Sequence, residues 1–175
     1  MTAEKEDMTL ERLRVQIEPA DEASAEAARR RWMSVAKPLF SLGKLEDAVI
    51  RIAGMKRSAQ YELKKRGLVI MCADNGVVEE GVTQTGQEIT ALVAENFLQT
   101  KAVSSIMCKT VGAEIFPVDV GVAKDVSILN RKIAYGTKNM TKEPAMTREQ
   151  AVRAIETGIE MVEMLKEKDT ASLHR

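Results

Sequence analysis

Apolar positions in this chain fall into blocks that predict strands running into polar loops and then helices. Leu68 to Ala73 is a continuous apolar run that stops at Asp74-Asn75-Gly76, the pattern of a strand buried on both faces. A polar loop continues to Gln87. Within it Thr85-x-x-Glu88 spells a capping box, predicting a helix with Ile89, Leu92, Val93, Phe97 and later Val103, Ile106 and Met107 on an inward stripe. Gly112 is expected to end that helix. Ala113 to Gly121 reads as a second strand, in which Pro117 lacks a ladder donor and calls for an edge position or a bulge. Lys132-Ile133-Ala134 predicts a short third strand before Gly136-Thr137-Lys138-Asn139. Thr147-x-x-Gln150 is a second capping box, opening a helix expected to end at Lys168 and to line one face with Ala151, Ile155, Ile159, Val162 and Leu165.

Upstream, Asp21 to Met33 reads as a helix capped by Asp21 or Ser24, and Pro38 breaks the chain after it. Leu45 to Met55 predicts another helix, with Leu45, Val49, Ile52 and Ala53 sharing a face; Lys56 to Arg66 is a polar connection. Strands alternating with helices at this spacing argue a parallel sheet. The expected fold is therefore α/β, a three-layer αβα arrangement around a parallel Rossmann-like sheet with an N-terminal helical segment. Residues 1–20 are expected to be poorly ordered or extended, 21–66 to form the helical segment, and 67–175 a truncated parallel α/β domain.

Composition narrows the partners. The 175 residues carry 26 basic and 26 acidic side chains, so no global field draws in nucleic acid or an anionic membrane. Aromatics at 3% weaken base stacking further. No apolar run approaches a membrane span and no signal peptide opens the chain, so a cytoplasmic protein without nucleic-acid or membrane partners is expected. Cys72 and Cys108 read as buried free thiols. With His174 as the one histidine, a histidine-dependent metal site or triad is set aside.

Three loops follow strand ends: Asp74–Gln87, Asp119–Lys124 and Gly136–Met146. In a parallel sheet they share one edge, where α/β proteins place ligands. There Asp74 can orient a hydroxyl or amide, Asn75 both donates and accepts, and Gly76 and Gly136 permit close backbone approach. Gly136-Thr137-Lys138-Asn139 suits an anion through backbone donors, a hydroxyl and a lysine. Neither a Walker motif nor G-x-G-x-x-G is present. Aspartate and glycine after strands also form plain turns, so the edge has a structural reading beside the functional one.

At these residues the chain resembles the nicotinate-nucleotide:dimethylbenzimidazole phosphoribosyltransferases of cobalamin synthesis. The resemblance is carried by Ala73-Asp74-Asn75-Gly76-Val77, Glu80-Gly81-Val82, Gln87-Glu88-Ile89-Thr90, Val118-Asp119-Val120-Gly121, Gly136-Thr137-Lys138-Asn139 and Glu143-Pro144-Ala145-Met146-Thr147, with Lys37-Pro38-x-x-Ser41-Leu42-Gly43-Lys44-Leu45-Glu46 upstream. It implies transfer of phosphoribosyl from nicotinate mononucleotide to 5,6-dimethylbenzimidazole, giving α-ribazole 5′-phosphate and nicotinate. It also implies a homodimer and no cofactor or metal. Thr85 and Val93 fall where the family lines its benzimidazole pocket, and Asp74, Asn75 and Gly76 at its floor; Gln87, Gly136, Thr137 and Asn139 complete the expected substrate-binding set.

Two positions depart from the family pattern: Asn75 stands where histidine is usual, and Phe40 where glycine is. The resemblance also places a phosphate loop and the general-base glutamate beyond residue 175, so no catalytic residue is expected in this chain. The tail Asp169-Thr-Ala-Ser-Leu-His-Arg175 reads as a one-nucleotide frameshift of codons for Gly-Tyr-Arg-Phe-Ile-Ala; a naturally short paralogue or a deliberately cut fragment is the alternative. Three functional readings follow. One is an enzyme-family chain inactive alone, another a non-catalytic benzimidazole-binding paralogue or partner half, and the third a remnant that associates through unpaired strand edges.

Overall fold

The computed structural model describes residues 13–173, apart from the side chains of 169–173. The N-terminal residues expected to be extended lie outside that range up to residue 12, and residues 13–16 form a turn of helix. The chain divides into two compact units that meet between Lys64 and Lys65 in sequence.

In the helical unit, α1 (Glu22–Ser34) starts where Asp21 Oδ2 accepts the Ser24 N–H at 2.9 Å, so Asp21 is the cap. α2 (Lys44–Lys56) ends at Arg57 in the left-handed conformation. Ala28, Ile50 and Ala53 form the buried core between them, with Trp32 and Tyr61 against it. The buried face of α2 is Glu46, Ile50, Ala53 and Gly54, while Leu45, expected inside, is exposed. Glu46 takes the inner position because its carboxylate is satisfied there. It pairs with Lys37 Nζ at 2.8 Å and accepts the Leu42 N–H, and the Lys37 contact above all holds its pKa below the usual glutamate value.

Phe40, in the turn before α2, has φ 57° and an exposed side chain. A bulky residue there is strained and gains little from packing. Phe40→Gly should therefore raise stability by about 1 kcal/mol, read as a higher urea midpoint at unchanged slope.

The α/β unit begins with β1 (Gly67–Ala73), a 3₁₀ turn (Gly76–Glu80), α3 (Glu88–Leu98) and α4 (Val103–Val111). β2 (Glu114–Gly121), β3 (Leu129–Asn130) and α5 (Arg148–Leu173) follow. β1, β2 and β3 lie side by side in that order, all parallel. Side-chain alternation separates the two faces. Ile70, Cys72 and Ile115 pack with Ala94 and Phe97 of α3 on one face, whereas on the other Phe116 meets Lys168 of α5. Helices thus cover both faces of a parallel sheet, the three-layer α/β arrangement.

Pro117 lies in the middle strand. The Glu114 N–H donates to Arg66 O on the β1 side, so by alternation the donor missing at 117 faces the other way. There β3 pairs only Val118 and Asp119, and no ladder bond is forfeited. The third strand lies at Leu129–Asn130, earlier than the expected Lys132–Ala134, although Ile133 N still donates to Val120 O.

Three helical expectations are corrected. The segment read as one helix to Gly112 is two, separated at Gln99–Ala102 with Thr100 at φ 56°. Of its expected stripe Phe97 is buried, whereas the rest is exposed, Val103 at 74% and Met107 at 63%; Ala94, Ser105 and Cys108 face inward with Phe97. Ala91 and Ala94 turn toward the strands beside Phe97, and the other bulky residues of the stripe are left outside. In α5 the buried residues are Val152, Thr157 and Met161, while Ile155 and Val162 are exposed, and the helix continues past Lys168 to Leu173.

The two capping boxes also differ. Thr147 Oγ1 accepts the Gln150 N–H and Gln150 Oε1 accepts the Thr147 N–H, a reciprocal box. α3 begins only at Glu88, after an N-cap at Gln87 with no side-chain bond, and the Thr85 carbonyl accepts the Thr83 hydroxyl. Thr147→Ala should cost about 1 kcal/mol, whereas Thr85→Ala should stay within about 0.5 kcal/mol, both read from urea unfolding.

Candidate functional site

All three strand-end loops meet at Asp74. Its N–H donates to Gly121 O at 2.9 Å, its carbonyl accepts the Thr137 N–H at 2.9 Å, and its Oδ2 accepts the Ala123 N–H at 2.8 Å. The side chain is buried at 3% exposure, and among the described residues Oδ1 has no hydrogen-bond partner.

Two recesses open on either side of this residue. The larger, about 280 Å³, is lined by Ala73, Asp74, Asn75, Val77, Val78, Val82, Thr83, Thr85, Gly86, Gln87 and Thr90. Its walls combine valines from the 3₁₀ turn and loop with hydroxyl and amide groups at the start of α3. The smaller, about 100 Å³, lies between Asp74, Gly121, Ile133, Gly136, Thr137, Met146 and Ala154. Of the expected site residues, Asp74, Asn75, Thr85 and Gln87 share the larger recess, and Asp74, Gly136 and Thr137 the smaller. Gly76, Val93 and Asn139 line neither. The recess ends at the first turn of α3, reaching Thr90 and stopping short of Val93.

Gly76 and Asn139 build the wall instead. A Cβ on Gly76 would stand 2.6 Å from Thr137 O, Lys138 C and Asn139 N, so the 137–139 backbone rests directly on it. The Gly76 N–H donates to Thr137 Oγ1 at 3.2 Å. Asn139 is buried; its Nδ2 donates to Glu80 Oε1 at 2.6 Å and Glu79 Oε2 at 3.3 Å, and its Oδ1 accepts from Thr141. Lys142 Nζ sits 2.7 Å from Glu79. Both carboxyls are held below their usual range, Glu79 chiefly by Lys142 and Glu80 chiefly by Asn139. This network fastens the 136–143 loop to the 3₁₀ turn and fixes the rim of the larger recess.

A family model described as a phosphoribosyltransferase matches residues 17–174. The nicotinate-nucleotide–dimethylbenzimidazole phosphoribosyltransferase of Clostridium tetani is 51% identical over 150 residues, covering 84% of this chain and 41% of the relative's length. That of Ruminiclostridium cellulolyticum is 43% identical over 164 residues, covering 92% and 47%. The chain belongs to the nicotinate-nucleotide–dimethylbenzimidazole phosphoribosyltransferase family. A crystal structure of such an enzyme from Thermus thermophilus superposes with a TM-score of 0.73 at 35% identity, over 80% of this chain and 44% of that one. The chain thus spans less than half the length of these phosphoribosyltransferases.

One buried group has no counterpart among the expected site residues. Asp119, 1% exposed, accepts the Gly121 and Val122 N–H groups on Oδ1 and pairs through Oδ2 with Lys132 Nζ at 3.0 Å. Lys132 also lies 4.2 Å over the Tyr135 ring, whose hydroxyl donates to Asp125 and is thereby raised in pKa. The Cys72 thiol nearby is raised as well, first by burial and then by the Asp119 charge. A signal was present in sequence: a carboxylate inside an apolar strand, Val118-Asp119-Val120, requires a partner once buried.

Proposed function

We propose that these residues form the base-binding wall of a nicotinate-nucleotide:dimethylbenzimidazole phosphoribosyltransferase acting in cobalamin lower-ligand synthesis. In that reaction a ring nitrogen of 5,6-dimethylbenzimidazole forms a bond to the anomeric carbon of nicotinate mononucleotide. The bond to nicotinate breaks, and α-ribazole 5′-phosphate and nicotinate leave. The observation that supports this reading most is the 280 Å³ recess at the carboxyl end of β1, where valines face hydroxyl and amide groups. That size is near the lower end of ligand pockets, about 300 Å³, and suits a flat, mostly apolar base with a few polar atoms. Gln87 and Thr85 would meet its edge, and Asp74 and Asn75 its floor.

The resemblance puts the phosphate loop and the general-base glutamate beyond residue 175, so the work assigned to these residues is to bind and orient the base. Orientation is a large part of such a reaction, because a fixed near-attack geometry removes most of its entropic barrier. A homodimer and a cytoplasmic location belong to the same proposal. Calorimetry with 5,6-dimethylbenzimidazole tests it. We expect saturable binding, weakened roughly tenfold or more when Thr85→Trp fills the recess, and no release of nicotinate from nicotinate mononucleotide by these residues alone. Absence of any binding heat in the wild-type chain would overturn the base-wall assignment. Product formation by the chain alone would overturn the division of labour.

A further inference from the structure

The Asp119–Lys132 pair lies outside both recesses, yet a single planar peptide connects it to Asp74. Lys132 Nζ donates to Val122 O at 2.5 Å and Lys124 O at 2.8 Å. In a trans peptide the carbonyl of residue 122 and the N–H of residue 123 point in opposite directions. Turning Val122 O toward Lys132 therefore aims the Ala123 N–H the other way, where it donates to Asp74 Oδ2 at 2.8 Å. A cation at the oxygen end and a carboxylate at the N–H end polarise that peptide in the same sense and strengthen both bonds. Asp119 holds the start of the loop through the Gly121 and Val122 N–H groups and, 3.0 Å from Lys132 Nζ, anchors that side chain, which is 9% exposed.

We propose that Asp119 and Lys132 are positioning residues for the base recess, acting through the Val122–Ala123 peptide to fix the rotamer of Asp74. The pair leaves one Asp74 oxygen tied to Ala123 and the other without a protein partner among the described residues, beside both recesses. This role rests on the reading of the larger recess as the base site.

The test uses the neutral pair Asp119→Asn with Lys132→Met, which removes both charges while keeping volume; such replacements of buried pairs often leave stability near its starting value. In the folded neutral-pair variant, amide exchange at Ala123 should quicken about tenfold while Val118 and Ile70 in the strands keep their protection. Affinity for 5,6-dimethylbenzimidazole should fall roughly tenfold, and restored stability should not restore it. Should that variant fail to fold, Lys132→Arg keeps the charge but not the compact ammonium, and Ala123 exchange should still quicken selectively. Unchanged Ala123 protection in a folded variant overturns the proposal, as does wild-type affinity in the neutral pair. Should the wild-type chain fail to bind the base, the base-site reading falls by itself, and Ala123 exchange still decides whether the pair holds Asp74.

Discussion

A Gly76→Ala variant is expected to lose about 3 kcal/mol of stability and to bind dimethylbenzimidazole roughly tenfold more weakly. The added methyl would stand 2.6 Å from three backbone atoms of residues 137–139. Backbone cannot rotate aside as a side-chain tip would, so the loop must lift or the 3₁₀ turn must move. Either motion pulls on bonds shared by both segments, Gly76 N–H to Thr137 Oγ1 and Asn139 to Glu79 and Glu80. Gly76 does not have positive φ, so the cost is contact rather than backbone strain. Gly158→Ala on α5, where the methyl meets nothing within 4 Å, is the control and should move the urea midpoint upward. Equal midpoints for Gly76→Ala and wild type would show that the loop yields freely.

Asp119→Ala should be the other severe substitution, destabilising by about 3–5 kcal/mol. It leaves Lys132 with two carbonyl oxygens, a ring face and the exposed Asp125 carboxylate at 3.9 Å in place of its 3.0 Å partner, and it orphans the Gly121 and Val122 N–H groups. Adding Lys132→Met to Asp119→Ala should recover part of the loss, because the uncompensated charge goes while the two donors stay unpaired. A double-mutant cycle in urea separates these contributions. Additive losses would mean that the two side chains do not interact.

Much of the fold was legible because its signals are local. The run Leu68–Ala73 and its stop at Asp74 predicted β1 and the loop after it, and Thr147-x-x-Gln150 forms the reciprocal box that its spacing spells. Thr85-x-x-Glu88 carries the same spelling and forms no box. A cap also needs the chain entering it to lie in the right direction, and residues 82–87 are instead drawn along the rim of the recess. The inward stripe on α3 and α4 was misread for a related reason. Spacing identifies which apolar residues share a side of a helix, but the distance between helix and sheet decides which side is buried. Here the side that carries Ala91, Ala94 and Phe97 is the one against the strands.

The candidate site divides in the same way. The order strand, loop, helix puts Asp74 and Asn75 at the sheet edge, the resemblance adds Thr85 and Gln87, and these four line one recess. Asn139 belongs to the substrate-binding set that the resemblance implies, whereas its side chain is engaged by two glutamates remote in sequence and by a threonine of its own loop.

By itself the sequence determined the α/β class, the strand whose end carries the candidate site, and membership of the phosphoribosyltransferase family, because hydrophobic period, turn chemistry and ordered motifs are written residue by residue. Only the tertiary structure decided that Gly76 bears the 137–139 backbone, that Lys132 and Asp119 pair across a loop, and that one peptide joins them to Asp74. Those contacts join residues up to 61 positions apart. They arise from the packing of loops at the sheet edge, for which no local pattern exists.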